Sequence, residues 1–160
     1  MVTVRVAVME DADAIASLTA EVQQLHKEAL PEVFKAPSNR LFSREKLATL
    51  LHDANSTLAV AESNREVIGH VYGVIMQRAE NDFKAADKYM YIQQIGVCKN
   101  FRRQGVGRAL IAFIEGRAMA SAVTRLQLDY WAFNTRAQNF FASCGFSPSQ
   151  VMMRRTLSPQ

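Results

Sequence analysis

The chain has 160 residues, of which 49% are hydrophobic and 21% charged, a composition typical of one globular domain. That composition excludes an intrinsically disordered chain, a collagen-like repeat and a small protein framed by disulfides. The net charge of +4 is unevenly spread, because residues 1–90 hold ten Lys and Arg against thirteen Asp and Glu, whereas residues 91–160 hold nine against two. We therefore expect the C-terminal part to attract a polyanion, either a nucleic acid or a phosphorylated cofactor.

The sequence shows no sign of membrane insertion or of metal binding. It has no run of the ~18 apolar residues that a membrane span needs, and its N-terminus is acidic where a signal peptide would be basic and then apolar. Cys98 and Cys144 form no CxxC pair, and the three histidines have no metal-ligand spacing. We expect one domain over residues 1–160 that is reduced and cytoplasmic, with no metal and no membrane partner.

Apolar periodicity, turn residues and helix-capping residues predict the secondary structure. The predicted elements, in chain order, are a strand at 2–7, a helix that ends at Pro31, a loop over 31–42, a helix at 43–52, strands at 56–62, 66–77 and 89–98, a helix at 105–121, a strand at 126–130, a helix at 134–143 and a last strand at 150–157. The order β-α-α-β-β-β-α-β-α-β indicates a mixed sheet of the α/β or α+β class rather than a doubly wound one.

The most informative segment is Ile92–Leu110, which is predicted to be a strand, a basic turn and the start of a helix. In such a turn, successive backbone N–H groups point into one concavity, and the helix adds a partial positive charge. Gly105 and Gly107 let the backbone approach an anion, and the arginines within 102–108 surround it. The pattern favours a phosphate-binding turn over a packing turn. It is neither a Rossmann fingerprint nor a Walker loop, because the third glycine, the acidic partner and the GK[ST] sequence are missing.

Two motifs resemble those of the GNAT superfamily of N-acetyltransferases. Arg102, Gly105 and Gly107 fill the acetyl-CoA motif of that family, R/Q-x-x-G-x-G/A. The second signature, N-x-x-A-x-x-F-Y-x-x-x-G-F, is similar to the run of Asn134, Ala137, Phe140, Phe141, Gly145 and Phe146. The resemblance covers nearly the whole chain and implies a mixed, strongly twisted sheet, splayed at the cofactor cleft between the strands at 89–98 and 125–131.

The resemblance implies acetyl transfer from acetyl-CoA to a primary amine by direct attack on the thioester. The N–H of Val97 would stabilise the oxyanion that develops, Asn134 would bond the pantetheine arm, and Phe141 would lie near the sulfur. The implied cofactor-binding residues are Ile95, Gly96, Val97, Arg102, Arg103, Gln104, Gly105, Val106, Gly107, Arg108, Asn134 and Phe141.

The catalytic positions depart from the family pattern. Phe141 stands where the family has a tyrosine as general acid, and Gln93 stands where a glutamate base is common. We expect Gln93 to hold a water that relays the proton, and Tyr130 to replace the missing hydroxyl ahead of Tyr72 and Tyr91. The expected acceptor-binding residues are His26, Phe34, Tyr72 and Trp131.

Three hypotheses of function follow. The first is an N-acetyltransferase whose acceptor is an amine-bearing small molecule, a peptide or a protein, and which dimerises as is usual in the family. The second is a non-catalytic acyl-CoA-binding or sensing module, which the departures at Gln93 and Phe141 favour. The third is a nucleic-acid-binding domain, which depends on the basic C-terminal part alone and lacks any nucleic-acid motif, so we expect no nucleic-acid partner.

Overall fold

The computed structural model describes residues 1–38 and 42–157. The predicted loop over 31–42 therefore includes a part, with Asn39, that lies outside the described residues. Within the described ranges, no helix is long and apolar enough to span a membrane. The helices and strands are β1 (Thr3–Val6), α1 (Ala12–Ala29), α2 (Arg44–His52), β2 (Ser56–Ser63), β3 (Glu66–Arg78), β4 (Asp87–Val97), α3 (Val106–Ala120), β5 (Leu126–Gln127) and α4 (Thr135–Ser143).

The five strands form one mixed sheet in the order β1-β2-β3-β4-β5. The first four strands pair antiparallel with their neighbours. A tight turn joins β2 to β3 and a loop joins β3 to β4, connections that suit antiparallel strands, whereas α1 and α2 lie between β1 and β2. β5 pairs parallel with β4, and α3 makes the crossover that a parallel pair requires. The mixed α/β fold that the sequence predicts is confirmed.

Helices cover both faces of the sheet. Leu110 of α3 lies against Gly69 of β3, whereas Val22 of α1 lies against Gly96 of β4. Gly96 pairs with His70, and neighbouring residues of a strand point to opposite faces, so α1 and α3 lie on opposite faces. The core beneath α1 and α2 consists of Ala7, Ala12, Ile15, Phe42, Leu47, Leu58 and Val60.

Contacts within the chain group into two compact units, Met1–Asp129 and Tyr130–Gln160. The first unit contains the whole sheet with α1, α2 and α3, and the second contains α4. The expectation of a single domain over residues 1–160 stays a prediction.

The predicted last strand at 150–157 is wrong. These residues have no regular secondary structure and all of them are exposed. Their apolar and basic residues have strand-like propensities, but a strand also needs a neighbouring strand to accept and donate its backbone hydrogen bonds. In the described part of the chain, this segment joins no sheet. The predicted strand at 126–130 is likewise shorter than expected, since only Leu126–Gln127 pairs with β4.

Candidate active site

β4 and β5 separate soon after they meet. Their parallel pairs are Met90 with Leu126 and Tyr91 with Gln127, and in the described ranges the pairing stops there. β4 continues to Val97 and stays paired with β3 alone. Residues 92–97 therefore have an open backbone edge, and the space between this edge and residues 128–129, which follow β5, is called the gap below. The splay that the resemblance implies is present.

The backbone groups of β4 that face the gap follow from the antiparallel ladder. Cys98, just after β4, donates its N–H to the carbonyl of Ile68 at 2.8 Å. Consecutive residues of an antiparallel strand alternate between facing their partner and facing away from it. Val97 and Ile95 therefore direct their N–H and C=O groups towards the gap, whereas Gly96 directs its own towards β3.

Arg102 braces the end of β4. Its Nε donates to the carbonyl of Val97 at 3.0 Å, and its guanidinium lies 3.9 Å from the carboxylate of Glu21. Arg103, the next residue, has a φ of 61°, a left-handed conformation that is uncommon for a residue other than glycine. The backbone therefore changes direction sharply at Arg103, directly after Arg102. The side chain of Arg103 is exposed.

The start of α3 has no side-chain cap. Its N-cap residue is Gly105, at a φ of 83°, in the left-handed region that glycine adopts without a steric penalty. The first intrahelical donor is Ala109, whose N–H bonds to the carbonyl of Gly105 at 3.0 Å. The N–H groups of Val106 and Gly107 come before this first donor, have no acceptor within the helix and lie at the positive end of the helix dipole. This geometry suits a phosphate or diphosphate group.

A β-bulge lies where the gap opens. Tyr72 of β3 pairs with Gln94 of β4, and the next residue of β3, Gly73, pairs with Ile92. Gln93 is therefore an extra residue that has no pairing partner on β3. Its side chain is exposed. A bulge bends a strand and increases its local twist, which helps β4 to diverge from β5. Nothing in the sequence predicts this bulge.

A buried polar cluster supports β4 on the α1 face. His70 is 1% exposed, and its Nε2 donates to the Oε1 of Gln94 at 3.4 Å, an oxygen that also accepts from the hydroxyl of Thr19 at 3.5 Å. Burial lowers the pKa of His70 to about 4, so the ring is neutral near pH 7. A Cβ at Gly96 would lie 2.9 Å from the ring, which explains why glycine is needed at this position.

A hydrogen bond between a tyrosine hydroxyl and a carboxylate lies at the end of the gap where β4 and β5 separate. Tyr91 lies on β4 in the last β4–β5 pair, and its hydroxyl donates to Oδ2 of Asp129 at 2.5 Å. Burial raises the pKa of Tyr91, and the hydrogen bond to the carboxylate raises it further. The sequence suggests Tyr91 as a hydroxyl near the cleft but gives no sign of Asp129, since 38 positions separate the two residues and no local pattern connects them.

The second unit contains the other signature residues. Asn134 caps α4, because its Oδ1 accepts the N–H of Ala137 at 3.0 Å. Phe141 is 7% exposed and packs in an aromatic cluster. Its ring centroid lies 5.3 Å from that of Phe140, 5.8 Å from that of Phe146 and 6.3 Å from that of Tyr130. Phe141 is therefore a core residue of this unit, whereas the predicted residues Tyr130 and Trp131 are exposed at its surface.

The predicted acceptor residues of the first unit form two separate groups. His26 donates from Nδ1 to the carbonyl of Val22 at 2.8 Å, and its ring centroid lies 4.8 Å from that of Phe34. Tyr72 packs elsewhere, edge-on to Phe42 at 6.3 Å, beside the core beneath α1 and α2.

Cys98 and Cys144 are half-buried free thiols. Among the described residues, no three or more His, Cys, Asp or Glu side chains are grouped so as to hold a metal ion. The cytoplasmic location and the lack of a metal stay predictions.

Comparison with known proteins places these features in a family. A family model described as the acetyltransferase (GNAT) family matches residues 19–146. No curated protein sequence matches the chain. Many solved structures share its fold, and three of them are described here. A tetramutant of the BH1408 protein from Bacillus halodurans is 23% identical, with a TM-score of 0.90 over 97% of this chain and 99% of that one.

The other two structures are aminoglycoside N-acetyltransferases. The AAC(6')-Ih enzyme from Acinetobacter baumannii is 14% identical, with a TM-score of 0.73 over the whole of both chains. The AAC(6')-Iy enzyme, solved in complex with CoA, is 16% identical, with a TM-score of 0.77 over 98% of this chain and 95% of that one. At these identities the likeness shows the fold.

Proposed function

This chain belongs to the acetyltransferase (GNAT) family and is an acyltransferase, and from that premise we propose that it transfers the acetyl group of acetyl-CoA to a primary amine. The fold is one that binds CoA in a similar protein. Small-molecule amines are the favoured acceptor class, since two proteins of this fold are aminoglycoside N-acetyltransferases. The family match crosses the boundary between the two compact units, which supports one catalytic domain over residues 1–160. Dimerisation stays a prediction.

The observation that carries this proposal is the open edge of β4 next to the uncapped start of α3. The N–H groups of Ile95 and Val97 and the carbonyl of Ile95 face away from β3 and match the amides of a pantetheine arm, which would add to the edge as a further strand does. The N–H groups of Val106 and Gly107 and the side chain of Arg103 would hold the diphosphate. These residues therefore fit acetyl-CoA, which when bound supplies the thioester.

The residues that face the gap would promote attack by the amine in two ways. The N–H of Val97 is fixed by the ladder and points to the gap, so it can stabilise negative charge that develops on the thioester oxygen without a costly rearrangement. Holding the amine beside the thioester lowers the activation barrier further. In a well-oriented site this positioning can contribute up to about 7–11 kcal/mol. Gln93 cannot accept a proton, but its exposed amide can hold a water that does.

The direct test is turnover with a panel of primary amines, followed by release of the CoA thiol and by mass spectrometry of the acetylated amine. We expect a product with wild-type protein. Arg103→Glu should raise the KM for acetyl-CoA about tenfold or more, because it places a negative charge beside the diphosphate. Lys84→Glu is the matched control, since this exposed lysine lies in the β3–β4 loop at the other end of β4, and it should behave as wild type.

Equal KM values for the two variants would contradict the placement of the diphosphate. Tight CoA binding without any acetylated amine would favour the hypothesis of a non-catalytic acyl-CoA-binding module.

A further inference from the structure

We propose that Arg102 is a positioning residue for acetyl transfer, which fixes the direction of the Val97 N–H, and that it does not hold the diphosphate of CoA. The resemblance implies a different role, because it counts Arg102 among the cofactor-binding residues. The inference rests on the proposed function and deepens it at the same site.

Val97, the last residue of β4, is held on both edges of the strand. On the side of β3, the N–H of the next residue, Cys98, donates to the carbonyl of Ile68 at 2.8 Å. On the side of the gap, Nε of Arg102 donates to the carbonyl of Val97 at 3.0 Å. Because both of these bonds restrain the end of the strand, the N–H of Val97 points to the gap in one fixed direction.

A fixed N–H is what the proposed reaction requires of Val97. A donor stabilises the charge on the thioester oxygen best if it is aimed before the reaction begins, since no reorganisation is then needed. A displacement of about 1 Å from the productive geometry can reduce a rate on the order of 100-fold. Loss of the bond from Arg102 would release the gap side of Val97, so its effect should fall on the chemical step.

The charge of Arg102 is directed away from the start of α3. Its Nη2 lies 3.9 Å from a carboxylate oxygen of Glu21 on α1, and α1 and α3 lie on opposite faces of the sheet. Opposite charges at this distance attract each other, so Glu21 partly neutralises the guanidinium and holds it on the α1 side. A diphosphate at the start of α3 would need a cation that faces that end of the helix.

The next arginine along the chain has the properties that such a cation needs. Arg103 has a left-handed φ of 61°, and its side chain is exposed. Among the residues that the structure describes, no carboxylate forms an ion pair with Arg103. Two adjacent arginines therefore have different roles, since Arg102 binds the backbone of β4 and Arg103 is available to an anion.

The kinetic test treats the two arginines as a matched pair, because each variant removes one positive charge at adjacent positions. Arg102→Ala should lower kcat about tenfold or more and change the Kd for CoA by less than about twofold. Arg103→Ala should show the reverse pattern, with a Kd for CoA that rises about tenfold. Arg102→Gln has an amide that can donate to the carbonyl of Val97 without a charge, so it should recover part of kcat.

A second measurement follows the carbonyl of Val97 itself in the wild-type protein. Val97 and Cys98 form the only Val–Cys pair in the sequence, so protein labelled with carbonyl-¹³C valine and ¹⁵N cysteine gives one signal for this peptide. The carbonyl carbon signal moves upfield when the oxygen loses a hydrogen bond, and Arg102→Ala should show this shift. When CoA is added to wild type, the signal should not move to the position seen in Arg102→Ala, because the bond from Arg102 persists in the complex.

Three results would overturn the inference. They are a Kd for CoA that rises as much with Arg102→Ala as with Arg103→Ala, an equal kcat for wild type and Arg102→Ala, and a wild-type carbonyl signal that moves to the Arg102→Ala position when CoA binds. The two proposals can fail separately. If no amine is acetylated, the proposed function fails, whereas the carbonyl signal and the calorimetric Kd still decide whether Arg102 acts on Val97 or on the diphosphate.

Discussion

The two helices in the basic C-terminal part of the chain begin in different ways. α4 begins after Asn134, whose side chain accepts the N–H of Ala137 at 3.0 Å. α3 begins after Gly105, which is left-handed and has no side chain to accept a bond. A capping side chain occupies the same N–H groups that a bound anion would use. The contrast indicates that α4 is stabilised by the protein itself, whereas the start of α3 is available to a ligand.

α2 begins in the same way as α4, after Ser43, whose hydroxyl accepts the N–H of Lys46 at 3.2 Å. α1, like α3, begins without a side-chain cap. Its N-cap residue Asp11 does have a carboxylate, which bonds to Arg5 and to the N–H of Val8, whereas Gly105 at the start of α3 has no side chain at all. A glycine at the N-cap lowers the unfolding free energy by only a few tenths of a kcal/mol relative to a good capping residue. The missing side-chain cap at α3 therefore costs the protein little stability.

The largest effect should come from placing a carboxylate at the start of α3. Gly105→Asp would direct negative charge at the N–H groups of Val106 and Gly107, and we expect the affinity for CoA to fall at least ~100-fold, which is about 2.7 kcal/mol. Calorimetric titration with CoA measures this loss directly.

The matched control for that variant is Gly145→Asp. Gly145 has a φ of 89°, the same left-handed conformation, and at both glycines an added Cβ would meet no atom within 4 Å. Both variants should therefore lose about 1–2 kcal/mol of unfolding free energy from backbone strain. Only the change at Gly105 should weaken CoA binding, and equal losses of affinity would show that strain, not charge, is responsible.

A smaller effect should come from removing the cap of α4. Asn134→Ala should lower the unfolding free energy by about 1 kcal/mol. We also expect it to weaken CoA binding, since the resemblance to the family implies that Asn134 bonds the pantetheine arm. Asn134→Ser keeps an oxygen that can cap the helix but removes the amide nitrogen. We expect it to restore the stability measured by urea unfolding without restoring the affinity for CoA.

Ser43→Ala is the control for this pair, because it removes a cap from α2 and should lower stability by a similar amount with no change in CoA affinity. If Asn134→Ser binds CoA as tightly as wild type, then Asn134 serves only as a helix cap.

The sequence predicts well those features that depend on neighbouring residues. The strand, basic turn and helix within Ile92–Leu110 all form, and so do the predicted helices at 43–52 and 134–143, which begin after Ser43 and Asn134. Each of these features is decided by a few consecutive side chains and their hydrogen bonds to the adjacent backbone.

The features that the sequence does not predict depend on distant residues. The bulge at Gln93 exists only relative to the register of β3, and the bond between Tyr91 and Asp129 joins positions 38 residues apart. The role of Arg102 as a brace likewise requires the carbonyl of Val97 to face the gap. The predicted strand at 150–157 does not form for a related reason. Strand propensity depends on neighbouring residues, whereas strand pairing depends on distant ones.

The cofactor site is tested most directly by a titration of isotope-labelled protein with CoA, monitored through the backbone amide signals. We expect the largest changes at the amides of Val106 and Gly107 at the start of α3 and of Ile95 and Val97 on the open edge of β4. The amide of Lys46 at the capped start of α2 should not move. No change at α3 or β4 with millimolar CoA, or changes confined to other parts of the chain, would contradict the claim that the uncapped helix start and the open strand edge form the cofactor site.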